Sequence, residues 1–105
     1  MAQAAGDPEK GRAIAIEHCA RCHVVGDHNP MGGIGSTPSF QVLRTMKDWR
    51  DRFESFYARR PHPVHVRIAG LPSFTQLPPN AAPFTLTLGD LDHILALVEG
   101  MAPAW

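Results

Sequence analysis

The clearest periodic pattern of apolar and polar side chains lies in residues 46–59. Apolar side chains recur every three or four positions there, and charged side chains fill the positions between them. The apolar stripe consists of Met46, Trp49, Phe53 and Phe56. Thr45 and Asp48 resemble the start of a capping box. This spacing predicts an amphipathic α-helix whose apolar face packs into the core.

Two further helices are predicted near the ends of the chain. Residues 7–19 begin with Asp7 as the N-cap, followed by a proline at the first helical position and a glutamate in the first turn. Residues 90–100 begin with Asp90 as the N-cap and stop at Gly100, and their aliphatic side chains face inward. His93, between those aliphatic positions, is expected to be a surface or capping histidine.

Two segments rich in proline and glycine separate these helices. Residues 24–39 are irregular, as glycine and proline residues dominate them. Residues 61–88 contain six prolines, so no ordinary helix can run through them. Apolar side chains are spread through this second segment, which predicts a loop that packs over the core. His62 and His65 lie beside prolines in it.

Both cysteines of the chain belong to one pentapeptide, Cys19-Ala20-Arg21-Cys22-His23. The pattern C-x-x-C-H is the attachment signature of c-type haem. Two thiols one helical turn apart can each form a thioether with one vinyl group of the same haem. The adjoining His23 then lies under the iron as the proximal ligand. The motif therefore predicts one covalently attached haem c held by Cys19, Cys22 and His23.

Three alternatives to haem attachment compete for the same motif. A thiol–disulfide motif normally follows a strand and opens a helix, and no strand-like run precedes Cys19. A zinc site needs four ligands, which the two cysteines and six histidines could supply only as a Cys2His2 set. The cysteines could also be purely structural. Haem attachment is favoured because the motif is specific and uses every cysteine in the chain.

Length and charge limit the remaining classes. The 105 residues suit a single domain, and ten basic side chains balance ten acidic ones, which argues against nucleic acid as a partner. No apolar run approaches the ~20 residues of a membrane-spanning helix. Residues 1–5 are small and polar without a signal sequence and are expected to be a flexible N-terminal remnant. Since bacterial haem attachment occurs outside the cytoplasm, export to the periplasm with the signal already removed is expected.

The order of these features resembles that of the class I cytochromes c across nearly the whole chain. Residues 6–13 resemble the start of the first helix in small bacterial members, and residues 38–40 are similar to the family's G-P-x-L segment. The resemblance implies an all-α, cytochrome c-like fold in which three main helices surround the haem beside a long proline-rich loop. It also implies that the last helix crosses the first near Gly11, with Ala15 and Leu97 at the crossing.

The resemblance also implies which residues contact the haem. The carbonyl of Pro38 is expected to accept a hydrogen bond from the ring of His23, because a metal-bound histidine normally donates its other N–H. Phe40 is expected to cover a face of the haem, and Trp49 of the apolar stripe is expected to line the pocket.

The sixth iron ligand departs from the family's pattern. Many small members present a methionine in a proline-rich turn, and His65 occupies that place in residues 61–66. His65 is therefore expected to be the distal ligand, with His62 as the alternative if the loop register differs. Met46 could reach the iron only by rearrangement. A further alternative leaves the distal site open.

These features predict a periplasmic single-electron carrier rather than an enzyme, since no catalytic pair of side chains stands at a recognisable spacing. Other redox proteins are the expected donor and acceptor, and a monomer is expected. The alternative is a haem protein with an open distal site that binds small molecules, as a sensor or with peroxidase-like activity.

Overall fold

The computed structural model describes residues 6–35, 37–59, 61–72 and 83–101. The predicted N-terminal remnant, residues 1–5, lies outside the described residues. Within these ranges the α-helices are α1 (Pro8–Ile14), α2 (Phe40–Arg44), α3 (Trp49–Glu54) and α4 (Leu88–Glu99). The strands in the same ranges are β1 (Val66–Ile68) and β2 (Phe84–Leu86). Shorter turns of helix are a π-helical turn (Ala15–Cys19) and two 3-10 turns (Phe56–Ala58 and His62–Val64).

Helices α1 and α4 cross at very close range. A side chain on Gly6 would overlap the carbonyl of Asp92, and one on Gly11 would overlap the carbonyl of His93. Gly11 therefore stands mid-helix because only a residue without a Cβ lets the two backbones meet. Ala15, one turn further on, is completely buried.

The start of α1 is held from two directions. The side chain of Asp7 caps the helix by accepting the N–H of Glu9 at 2.9 Å, as the sequence predicts. The N–H of Asp7 in turn donates to Nδ1 of His93 at 2.9 Å. His93 therefore joins the first helix to the last one.

The expectation of an all-α fold is wrong. β1 and β2 form a two-stranded parallel sheet in which Val66 pairs with Phe84 and Ile68 with Leu86. Val66 and Ile68 are buried and the intervening arginine is not, which is the period of two expected of a strand. Prolines keep this segment from forming a helix, so its buried backbone groups find their hydrogen bonds in strand pairing instead.

The predicted helix boundaries also need correction. The amphipathic segment is helical only over Trp49–Glu54, followed by the 3-10 turn, and Asp48 is its N-cap without a side-chain capping bond. Met46 consequently lies on the surface, with 36% of its area exposed, instead of on the core stripe. The last helix begins earlier than predicted, because Thr87 is its N-cap. Asp90 supplies the other half of that capping box.

One core joins all these elements. The buried apolar side chains are Ala15, Val25, Phe40, Phe53, Val66, Ile68, Leu86, Leu91, Ile94, Leu95 and Val98. Phe40 and Phe53 meet edge to face within it, with ring centroids 5.0 Å apart. Among the described residues, no helix is long and apolar enough to cross a membrane.

Candidate functional site

The C-x-x-C-H motif follows directly on the π-helical turn. Cys22 and His23 both direct their backbone N–H groups to the carbonyl of Cys19, at 3.2 and 2.9 Å. This compact turn keeps the cysteines close to the end of the helical segment, and both are free thiols. Burial raises the pKa of the Cys19 thiol to about 12, whereas the Cys22 side chain is exposed. The two sulfurs thus sit in different surroundings on one short loop.

The side chain of Asn29 ties the motif to the loop that follows it. Its Nδ2 donates to the carbonyls of Ala20 and His23, each at 3.0 Å. Its Oδ1 accepts the N–H of Val25 at 2.8 Å. Three backbone groups are therefore satisfied by one amide side chain. The sequence does not single out this residue, because an asparagine before a proline in a glycine-rich loop indicates only a turn.

Gly33 lets the same loop return against the motif. Its φ of 74° lies in the left-handed region, and a Cβ there would come within 2.9 Å of the carbonyl of Cys22. The next N–H, that of Ile34, donates to this same Cys22 carbonyl at 2.8 Å. The loop therefore packs its backbone directly onto the C-x-x-C-H motif.

His23 is oriented by the residues at the end of this loop. Its Nδ1–H donates to the carbonyl of Pro38 at 2.5 Å, the partner that the family resemblance implies. Its ring tilts against that of Phe40, with centroids 5.4 Å apart. Burial lowers the pKa of His23, and the bond to Pro38 partly opposes this. Because a carbonyl can only accept, Nε2 is left as the nitrogen with a free lone pair.

His62 is oriented in the same way on the other side of the site. Its Nδ1–H donates to the carbonyl of Arg59 at 2.9 Å, which again leaves Nε2 with the lone pair. The edge of its ring meets Phe56, with centroids 5.2 Å apart and planes at 85°. Burial is the main cause of its lowered pKa, which favours a neutral imidazole. Pro63, the next residue, is buried and fixes the turn.

The rings of His23 and His62 lie near each other with nearly parallel planes. Their centroids are 6.2 Å apart and their planes differ by 2°. Two imidazoles bound end-on at opposite sides of one metal ion, with metal–nitrogen bonds of about 2.0–2.1 Å, have ring centroids about 6.4 Å apart. The centroid distance of this pair is close to that value. Both have Nδ1 occupied, as ligating histidines normally do.

His65 occupies a different position from His62. It ends the 3-10 turn that holds His62, and its N–H donates to the carbonyl of His62 at 2.8 Å. Its own carbonyl accepts the N–H of Phe84 at 2.8 Å, at the start of the parallel sheet. The sequence favours His65 as the distal ligand, but the structure brings the alternative, His62, opposite His23.

Trp49 occupies a different neighbourhood from the two histidines. The guanidinium of Arg44 lies 4.4 Å from its ring centroid and that of Arg50 lies 4.9 Å from it. Arg50 also forms an ion pair with Glu99 at 3.0 Å, which joins α3 to the end of α4. Phe40, by contrast, packs directly against His23. The structure thus brings Phe40, Pro38 and His62 around His23 and leaves Trp49 among arginines.

The methionines within the described residues lie no closer to a ligand position beside His23. Met31 is 96% exposed, and Met46 lies on the surface between α2 and α3. Met101 packs against the core after α4. Over the described ranges, no three histidine, cysteine or acidic side chains gather into a group that could hold a metal ion. The metal-binding arrangement these residues offer is a pair of opposed imidazoles.

Comparisons with protein-family models, with curated proteins and with solved structures found no match to this chain. What bears on its function is therefore the chemistry of the Cys19–His23 motif and the geometry around it.

Proposed function

We propose that this protein is a single-electron carrier with one covalently attached haem c, whose iron is bound by His23 and His62. The observation that carries the proposal is the pair of parallel imidazoles, 6.2 Å apart between centroids, beside a C-x-x-C-H motif. Haem iron, when bound, takes up and releases one electron. His23 and His62 would hold it through Nε2, the ring nitrogen that keeps its lone pair in both.

Cys19 and Cys22 attach the cofactor. Each thiol would add across one vinyl group, forming a sulfur–carbon bond and giving its hydrogen to the neighbouring carbon. The reaction needs no oxidant, because it is an addition. The tight turn at the Cys19 carbonyl and the three bonds of Asn29 hold the motif in one conformation for it.

His23 and His62 bind and orient. Each donates Nδ1–H to a backbone carbonyl, which fixes both the tautomer and the plane of the ring and makes Nε2 a stronger donor to metal. Phe40 packs against the ring of His23, and Phe56 packs against the ring of His62. Two histidine ligands favour a lower reduction potential than a histidine and a methionine.

The proposed carrier works outside the cytoplasm, since bacterial haem attachment takes place there, and exchanges electrons with other redox proteins. Such docking is transient and uses a small surface. With formal charges that cancel, the chain offers no overall electrostatic preference between an acidic and a basic partner.

Absorption spectra of the purified holoprotein test the proposal. We expect a six-coordinate low-spin spectrum without the weak red band of methionine-bound iron(III), and a slow, limited reaction with carbon monoxide. His62→Ala should become high-spin and bind carbon monoxide fully. His65→Ala is the matched control and should resemble the wild type. A wild type that is high-spin would instead favour an open site that binds small molecules, and a red band would indicate a methionine ligand.

A further inference from the structure

The orientation of His62 depends on a single backbone carbonyl. Arg59 offers its C=O to two donors of His62, the backbone N–H and the ring Nδ1–H, both at 2.9 Å. Residue 59 itself is extended, with φ −99° and ψ 134°, at the point where the chain leaves the 3-10 turn. Whatever holds Arg59 in place therefore also holds the ring of His62.

The side chain of Arg59 folds back onto α3. Its Nη2 forms an ion pair with Oδ2 of Asp51 at 2.8 Å, and its Nε donates to Oγ of Ser55 at 3.1 Å. The hydroxyl of Ser55 donates in turn to the carbonyl of Asp51 at 2.7 Å. Asp51 within α3 and Ser55 at its C-cap therefore both bind the guanidinium of Arg59. The backbone carbonyl of the same Arg59 orients His62.

We propose that Asp51 is a positioning residue for His62, acting through its ion pair with Arg59. This inference rests on the proposed function and adds the group that steadies the distal ligand. When the pair is intact, the carbonyl of Arg59 stays beneath Nδ1 of His62 and the ring keeps its plane parallel to that of His23. Without Asp51, Arg59 loses the carboxylate with which it forms its ion pair, and His62 would leave the iron more readily.

Because the ion pair between Arg59 and Asp51 is exposed, its effect on the orientation of His62 can be measured separately from its effect on stability. The Arg59 and Asp51 side chains are 41% and 70% exposed, and ion pairs of this kind contribute little to the free energy of unfolding. Loss of partners that orient a ligand, in contrast, often weakens ligation by about tenfold or more. Removing the carboxylate of Asp51 should therefore change the lability of His62 while leaving the stability of the protein nearly unchanged.

Helix α3 also offers a matched control. Asp48 pairs with Arg52 at 3.0 Å, with side chains that are 51% and 37% exposed, and its carboxylate hydrogen-bonds to Arg52 instead of Arg59. The hydrogen bond from Arg52 is the main cause that holds the pKa of Asp48 below its usual value, and the charge of Arg59 adds a smaller effect. Asp48→Asn thus removes an equivalent surface pair from the same helix.

The test is the rate at which carbon monoxide binds to the reduced holoprotein. With His62 on the iron, this rate levels off at high carbon monoxide concentration, at the rate at which the histidine dissociates. We expect Asp51→Asn to raise the limiting rate by about threefold to tenfold. Asp48→Asn should leave the limiting rate unchanged. Asp51→Glu, which keeps a carboxylate, should have a limiting rate close to that of the wild type. Thermal unfolding should be similar for all the variants.

Two results would overturn the inference in different ways. If the wild-type rate levels off and Asp51→Asn has the same limiting rate, Asp51 does not position His62, although His62 is a ligand. If the wild-type rate rises in proportion to carbon monoxide concentration without levelling off, the distal site is open and the proposed ligation is itself wrong.

Discussion

The imidazole of His18 lies flat against the ring of Phe84, with centroids 4.1 Å apart and planes within 7°. The guanidinium of Arg21 also lies over Phe84, 5.7 Å from its centroid. His18 immediately precedes Cys19, and Phe84 is the first residue of β2. The parallel sheet is thereby attached to the helical turn that carries the C-x-x-C-H motif.

Phe84→Ala should destabilise the protein. The change removes the stack on His18 and the contact with Arg21, so we expect the free energy of unfolding to fall by about 2 kcal/mol. Urea denaturation of wild type and variant measures this. Phe84→Leu, which keeps an apolar side chain without the aromatic face, should lose about half as much. If both variants lose the same free energy of unfolding, the stabilisation comes from the aromatic face alone and the expected difference is wrong.

Gly11→Ala should destabilise the crossing of α1 and α4. Alanine favours a helix by about 1 kcal/mol over glycine, but its Cβ would overlap the carbonyl of His93, and we expect a net loss of about 2–3 kcal/mol. Gly89, in the first turn of α4, is the control. A Cβ there meets only the hydroxyl of Thr87 at an ordinary 3.6 Å, so Gly89→Ala should be neutral or slightly stabilising. Thermal unfolding of both variants measures these changes in stability, and a Gly11→Ala variant as stable as the wild type would contradict the close crossing.

Asn29→Ala should weaken the loop behind the C-x-x-C-H motif. It leaves the N–H of Val25 and the carbonyls of Ala20 and His23 without their side-chain partner, at a cost of about 1–3 kcal/mol. Chemical denaturation and the yield of holoprotein should both show the loss. His28→Ala, at the exposed neighbouring position, should change neither. A fully stable Asn29→Ala variant would mean that water replaces the amide.

Replacement of the two cysteines tests the covalent attachment directly. The double variant Cys19→Ser with Cys22→Ser should release all its haem into acidified acetone, because no thioether remains. Each single variant should keep one thioether and show a red-shifted reduced spectrum in alkaline pyridine, since one vinyl group stays conjugated with the ring. Haem that resists extraction from the double variant would contradict the proposed attachment.

Predictions that rest on neighbouring residues agree with the structure at several points. Asp7 caps the first helix because its side chain needs only an N–H two residues away. The last helix matches its prediction except at its start, since Thr87 and Asp90 are both acceptable caps and the sequence alone does not rank them. The middle helix is shorter than predicted, because a stripe with helical spacing continues through a 3-10 turn as well as through an α-helix.

Predictions that depend on distant partners agree less well. The parallel sheet is not evident from the sequence because three alternating residues are too short a signal, and β1 and β2 pair across a long connection. The choice between His62 and His65 depends on where the turn after α3 aims each ring. That direction comes from the Arg59 carbonyl and from Phe56, neither of which the local pattern around the two histidines reveals.

The sequence by itself determined the local features of the chain: a C-x-x-C-H motif that uses every cysteine, a proline-rich segment with two histidines, and helices marked by their caps and apolar faces. These are local features, and local spacing is enough to define them. Only the tertiary structure decided that the chain contains a sheet and that His62 is the ring opposite His23. Both outcomes depend on packing between segments far apart in the chain, whose relative positions are set by the shared core.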